Sequence, residues 1–187
     1  MRYEKIKDIL HPNDPSAAGF LSWYPDYYEI KQDIVKSCNP QIICEIGVRA
    51  GYSACAFMDA CPDAFYFGFD ADMGTHGGEL GFTDWARKLL AGRPAKIWCP
   101  FDSQKVSKLP VRADFYHIDG DHTTMGCYHD MHIIFDDMLS GSYILVDDYD
   151  FLAEVRQAVD MFIEDYGQGF TWDYIKSQRG EILIKKR

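Results

Sequence analysis

No apolar run approaches the roughly 18 residues that a membrane-crossing helix needs, so no membrane span is expected. The opening residues, MRYEKIKDIL, are amphipathic and lack the apolar stretch of a secretory signal. A cytoplasmic location is the expectation. No CxxC pair occurs among the six cysteines, Cys38, Cys44, Cys55, Cys61, Cys99 and Cys127. Without that spacing neither a structural zinc site nor a disulfide framework is expected, and the cysteines read as reduced, mostly buried thiols. Basic clusters are also missing apart from the terminal KKR, and the formal charge is −10. An acidic surface repels phosphate backbones and anionic lipid, which argues against a nucleic-acid or membrane partner. There is no internal repeat and no low-complexity tract.

What is present suits a folded domain. The chain has 187 residues, 47% of them hydrophobic, enough for a single domain over 1–187 with a sizeable core. Five apolar runs recur, QIICEIGV (41–48), AFYFGFD (64–70), KIWCPFD (96–102), ADFYHID (113–119) and SYILVDD (142–148). They are nearly continuous rather than alternating, as strands covered on both faces are. Helical patterns lie between them. Residues 53–61 follow Gly51 and stop before Pro62, and 82–92 end at a glycine. Within 123–139, Tyr128, Met131, Phe135 and Met138 share one helical face behind a threonine cap. Within 151–166, Leu152, Val155, Val159, Phe162 and Tyr166 do the same. Alternating strands and helices imply an α/β fold with a largely parallel sheet. The tail departs from that rhythm. FTWDYIKS and GEILIKKR, joined near Gln178–Gly180, read as a closing hairpin that brings in an antiparallel strand. Residues 1–40 form an expected helical cap segment on a core spanning 41–187.

Each of the five runs ends on or near an acid: Glu45, Asp70, Asp102, Asp119 and the pair Asp147–Asp148. Ligands of open α/β sheets bind beyond the carboxyl ends of the strands. The acids are therefore expected to converge on one crevice, where mutual repulsion raises their pKa values unless cations or donors offset it. The first turn, EIGVRAGYSA, has Gly47 and Gly51 flanking a strand-to-helix junction. It is not GxGxxG, which weakens a dinucleotide assignment, and the acid Glu45 suits a cationic ligand better than a diphosphate.

On these residues the sequence resembles the class I S-adenosylmethionine-dependent methyltransferases. EIGVRAGYS is similar to their first motif, and GFDAD to their ribose-binding acid. HIDGDH followed by ILVDDY resembles the metal-dependent small-molecule O-methyltransferases of the macrocin O-methyltransferase type and, more distantly, the catechol type. The resemblance covers roughly residues 40–150 and implies a Rossmann-like, doubly wound, seven-stranded, mostly parallel sheet with an antiparallel C-terminal hairpin strand. It implies that Glu45, Gly47 and Gly51, with Tyr52 and Ser53, shape the pocket for the methionine part of the cofactor. Asp70, or secondarily Asp72, would take the ribose hydroxyls. Asp102 and Ser103 would lie on the adenine side, and Asp119 would border both cofactor and metal. Asp119, Asp147 and Asp148 match the metal ligands, and His122 or Asp121 takes the place of the general base. Related antibiotic-tailoring enzymes are longer, so the acceptor side of the site is the least defined.

The chemistry of the residues agrees. Three carboxylates without sulfur favour a hard cation, Mg²⁺ first and Mn²⁺ or Ca²⁺ after it. A cation lowers the pKa of an acceptor hydroxyl, and a neighbouring base removes its proton. His122 is the better base by unperturbed pKa and Asp121 the second choice. His117 reads as a satisfied core residue, and His129 and His132 as structural residues of a helix; His76 and His11 carry no signal. Trp23, Tyr24, Tyr27 and Tyr28 either line an acceptor pocket or pack a helix on the sheet, and Trp85 reads as core. The loop 72–82 is either a short lid or a simple connection. The function expected is methyl transfer to a hydroxyl of a small molecule such as a sugar or phenol. The alternatives are a metal-dependent hydrolase and a non-catalytic binding module. The acceptor and the oligomeric state, including a homo-oligomer, are left open.

Overall fold

The computed structural model describes residues 3–22, 24–74 and 80–187. Trp23, the side chain of Tyr24, His76 and the middle of the 72–82 loop lie outside the described residues.

Seven strands and seven α-helices make up the described chain, alternating in part. Helices α1 (Ile6–Ile9), α2 (Ala17–Ser22) and α3 (Tyr24–Cys38) precede β1 (Ile42–Ile46). Then come α4 (Tyr52–Ala60), β2 (Phe65–Phe69), α5 (Phe82–Leu89), β3 (Ala95–Trp98), β4 (Phe115–Ile118), α6 (Thr124–Asp137) and β5 (Tyr143–Val146). Helix α7 (Ala153–Tyr166) leads into β6 (Phe170–Ile175) and β7 (Glu181–Lys186). The strand order is β3-β2-β1-β4-β5-β7-β6. The first five strands run parallel, and β7 enters antiparallel between β5 and β6. The Rossmann-like α/β architecture is as the sequence implied.

Two cores sandwich the sheet. On one face Val35 of α3 and Phe57 of α4 close over Ile43, Phe115 and Leu145. On the other, Met131 and Phe135 of α6 and Val159 and Phe162 of α7 close over Tyr116, Ile144 and Ile184. Each large side chain buried this way is worth about 1.5–3 kcal/mol. Thr123 caps α6, its hydroxyl accepting from the Gly126 amide at 3.1 Å.

One strand is shorter than its apolar run. β3 ends at Trp98 because Cys99 is followed by Pro100, which has no amide to continue the ladder. Asp102 therefore stands outside the sheet. It caps a 3-10 turn, Ser103–Lys105, by accepting from the Gln104 amide at 3.0 Å. The helix expected over 82–92 likewise stops at Leu89. No described helix is long and apolar enough to cross a membrane.

Candidate active site

Strand order turns back between β1 and β4, and a cleft opens beyond the ends of these strands. Its volume is about 290 Å³. One end is built by the turn after β1. Gly47 has φ +89°, and a Cβ there would stand 1.9 Å from the Asp119 carbonyl oxygen. Only glycine allows the ends of β1 and β4 to meet so closely. Gly51 has φ +79° and abuts Ala86, whose Cβ would lie 2.7 Å from an added Cβ. Close approach within the protein is thus what both glycines serve in this fold.

Asp70, just past β2, lines the cleft. One oxygen accepts from the Arg49 amide and the other from the Asp72 amide, each at 2.7 Å. Burial raises its pKa against the pull of these donors. A carboxylate has about four lone-pair sites, so acceptor capacity remains for a ligand's hydroxyls. Asp72, Ser53, Asp102 and Ser103 also line the cleft. Tyr52 does so too, but its hydroxyl is engaged with the N-terminal segment. It donates to Asp14 at 2.7 Å and accepts from the His11 amide at 2.8 Å. Arg49 reaches the same Asp14 at 2.8 Å. The N-terminal segment is thereby tied to the first turn, and Ser16, Tyr27 and Tyr28 form a wall of the cleft.

The expected ring of acids divides between the two faces. Glu45 does not line the cleft. It is fully buried and engages Tyr66, Ser53 at 2.5 Å and His117 at 2.7 Å. Asp147 is also turned away, accepting from Tyr27 and lying 3.4 Å from the Lys31 ammonium. Lys31 further contacts His117 at 2.7 Å and Glu181 at 3.2 Å. Burial opposes the charge on Lys31, but Asp147, Glu181 and Asp119 outweigh it and its pKa rises.

The cleft face receives Asp119, Asp121 and His122, with Asp148 behind them. His122 Nε2 lies 3.0 Å from Asp119 Oδ1 and 3.6 Å from Asp148 Oδ2. One ligand atom from each of these three residues falls within 4.8 Å of the others. The cluster the structure assembles is therefore Asp119, His122 and Asp148, with His122 in the place expected for Asp147. Burial opposes charge on His122, yet the Asp119 hydrogen bond and the nearby acids raise its pKa to about 9. Burial and the charges of Asp147 and Asp119 push Asp148 up to about 8, against Arg179 and His122. Both Asp148 oxygens are buried and accept no hydrogen bond. Arg179, on the β6–β7 turn, pairs with one of them at 2.6 Å. Asp121 accepts from the Thr123 amide at 2.9 Å. Lys31, Arg49, Asp14, Gln104 and Arg179 carried no local sequence signal, because their partners lie far away in the chain.

Residues 44–149 match a protein family described as a methyltransferase domain. The chain belongs to that family. No curated protein matches it in sequence. Its fold recurs in solved structures. The SAH-bound Podospora anserina methyltransferase PaMTH1 has TM-score 0.71 and 17% identity over 94% of this chain and 83% of its own. An O-methyltransferase from Bacillus cereus in complex with SAH has TM-score 0.68 and 17% identity over 99% and 96%. TomG of Streptomyces achromogenes, an O-methyltransferase of tomaymycin synthesis in complex with SAM, has TM-score 0.66 and 15% identity over 98% and 86%. The likeness to these three is one of fold.

Proposed function

We propose that this methyltransferase moves the methyl group of S-adenosylmethionine onto a hydroxyl oxygen of a small molecule, with a divalent cation at the acid cluster. One observation carries the proposal. A single cleft is lined both by the Gly47–Gly51 turn and Asp70 and by Asp119, Asp121 and His122. A sulfonium donor and a hydroxyl acceptor can therefore share it. The two O-methyltransferases of like fold, in complex with SAH and SAM, support the choice of donor.

The donor set fits a cation. Asp148 offers its buried Oδ2, which accepts no hydrogen bond, while Oδ1 faces Arg179, and Asp119 and His122 stand beside it. Carboxylates suit Mg²⁺, and an imidazole among them admits Mn²⁺. A cation held there would lower the pKa of an acceptor hydroxyl and fix its position. The oxygen attacks the methyl carbon in line, the carbon–sulfur bond breaks, and the hydroxyl proton passes to a base. With a pKa raised to about 9, His122 must first give up its proton, and its Nε2 can then hold a cation or act as the base, not both. Asp121 is the base in the first case. Tyr27 and Tyr28 give the acceptor an aromatic wall, which suits a phenol or a sugar face.

A metal-independent version is favoured by one specific observation. Arg179 stands 2.6 Å from Asp148 and Lys31 3.4 Å from Asp147, so protein cations already offset two acids. Thermal shifts with SAH and Mg²⁺, alone and together, separate the two versions. Stabilisation by each, with a larger joint shift, supports the metal-assisted reaction. A shift with SAH alone supports the metal-independent one. No response to SAH removes the proposal altogether. Transfer of labelled methyl to hydroxylated acceptors then identifies the substrate.

A further inference from the structure

Phe151 follows soon after Asp148 and is 59% exposed, although it is large and apolar. It contributes to neither core of the sheet. Its backbone is nevertheless firmly held. The Phe151 amide donates to the Asp148 and Arg179 carbonyls, each at 3.1 Å, and the Asp150 amide donates to the Arg179 carbonyl at 2.8 Å. The Arg179 guanidinium lies over one face of the Phe151 ring, 4.7 Å from its centre. The same guanidinium pairs with Asp148, and Arg179 lines the cleft. The other face of the ring is open. Phe151 also lines a second, more open hollow of about 520 Å³, together with Ala153 and Met161 of α7. Asp150, Asp160 and Glu164 outnumber Arg156 around it, which disfavours an anionic occupant.

We infer that the open face of Phe151 is a stacking platform for a second, uncharged aromatic ring of the acceptor, so that the acceptor is a molecule of at least two rings rather than a lone phenol or sugar. The inference rests on the proposal that a hydroxyl is methylated beside Asp119, Asp121 and His122. The cleft, at about 290 Å³, is at the small end of ligand pockets, which span about 300–1,000 Å³. The donor and the hydroxyl-bearing ring fill it, and the rest of an acceptor lies outside. The Arg179 guanidinium bridges Asp148 and the Phe151 ring, so platform and acid cluster are about one guanidinium apart. A ring attached beyond the reacting one reaches Phe151 and the hollow, while a single ring at the cluster does not. Aromatic pairing adds affinity beyond the area it buries, and a platform held by its backbone costs little to order.

Calorimetric titration of the SAH-saturated protein with phenol and with 4-phenylphenol tests it. The two probes share the hydroxyl-bearing ring and differ by one further ring. The wild-type protein binds 4-phenylphenol about tenfold more tightly or better, as burial of one ring implies. Phe151 is exposed, so its variants fold. Phe151→Leu, apolar but without a ring face, cuts the preference to about threefold or less, and Phe151→Tyr keeps it. Ala153→Gln, at the exposed start of α7, narrows the hollow and cuts the preference as well. SAH affinity stays within about twofold in all three variants. A preference that survives Phe151→Leu or Ala153→Gln, one that is lost in Phe151→Tyr, or a wild type that binds SAH but does not favour 4-phenylphenol overturns the inference alone. A wild type that does not bind SAH overturns the proposed function and the inference with it.

Discussion

Two groups of ionisable side chains meet near the ends of β4 and β5, one on each side of the sheet. Glu45, His117 and Leu145 lie in register across β1, β4 and β5, so Asp147, two residues beyond Leu145, points to the α3 side with them. There Lys31 gathers Asp147, Glu181 and His117, and none of the four is more than slightly exposed. Asp148, one residue on, has φ +65° and joins Asp119 and His122 on the cleft side. Asp119 and His122 have side chains 25% and 21% exposed, open enough to meet a ligand. The first group is closed on itself and serves the fold. The second opens on the cleft through Asp119 and His122 and is the group proposed to meet a ligand. Similar residues thus differ in setting: both groups pair within the protein, but only the second is open to the cleft.

The largest effect that separates the two groups is expected at Lys31. Lys31→Met removes the cation shared by Asp147 and Glu181 and leaves both acids buried without it. Breaking a buried pair from one side costs about 3–5 kcal/mol. Urea denaturation reads this as a lowered midpoint. A cost below about 1 kcal/mol would mean that the network carries no more than a surface pair does.

His122 tests the other side. His122→Ala lowers turnover about 10²–10⁴-fold, the range for loss of a positioned base, and changes the unfolding midpoint little. Calorimetry with Mn²⁺ divides its roles. Loss of Mn²⁺ binding makes His122 a ligand, and retained binding makes it the base. A variant with wild-type turnover removes His122 from the site.

Asp130 sharpens the comparison from a third position. It is buried like the network but lacks a cation. Its neighbours are Ser103 and Gln104, which donate hydrogen bonds, and Asp121 and Asp102, which share its charge. Burial raises its pKa from 3.8 to about 7. The folded state then binds more protons than the unfolded chain between these values, so stability falls as pH rises through them. Asp130→Asn removes that slope and raises stability at pH 8 by about 1–3 kcal/mol. Melting curves from pH 4 to pH 8 would show parallel slopes in the two proteins if burial left this acid's ionisation unchanged.

Much of this was legible in the chain, and the limits have physical causes. Continuous apolar runs announced the five parallel strands, and Thr123 announced the start of α6. The acids at the ends of β2 and β4 reached the cleft as expected. A period of two also says that Asp147 and Asp148 face opposite ways. It does not say which face is the cleft, since that depends on how the neighbouring strands register. Lys31 lies 150 residues from Glu181 and 86 from His117, beyond any local pattern. In a helix, such a lysine reads as surface. Arg179 sits in a hairpin turn, where nothing local shows that the turn folds back over Asp148.

The smallest expected effect concerns the link between the N-terminal segment and the cleft. Tyr52 joins the first turn to His11 and Asp14, and Arg49 reaches the same Asp14. Tyr52→Phe keeps the ring and removes both hydrogen bonds. The Asp14 carboxylate retains Arg49 and the Ser16 amide, so the loss is softened. A cost of about 1 kcal/mol in stability is expected, the ordinary worth of such a bond. The segment also carries Tyr27 and Tyr28, which wall the cleft. Loosening it should therefore weaken SAH binding a few-fold while leaving Mn²⁺ binding unchanged. Calorimetry on the one variant reads both. An equal loss in the two titrations would mean that the segment braces the acid cluster as firmly as it does the cofactor end.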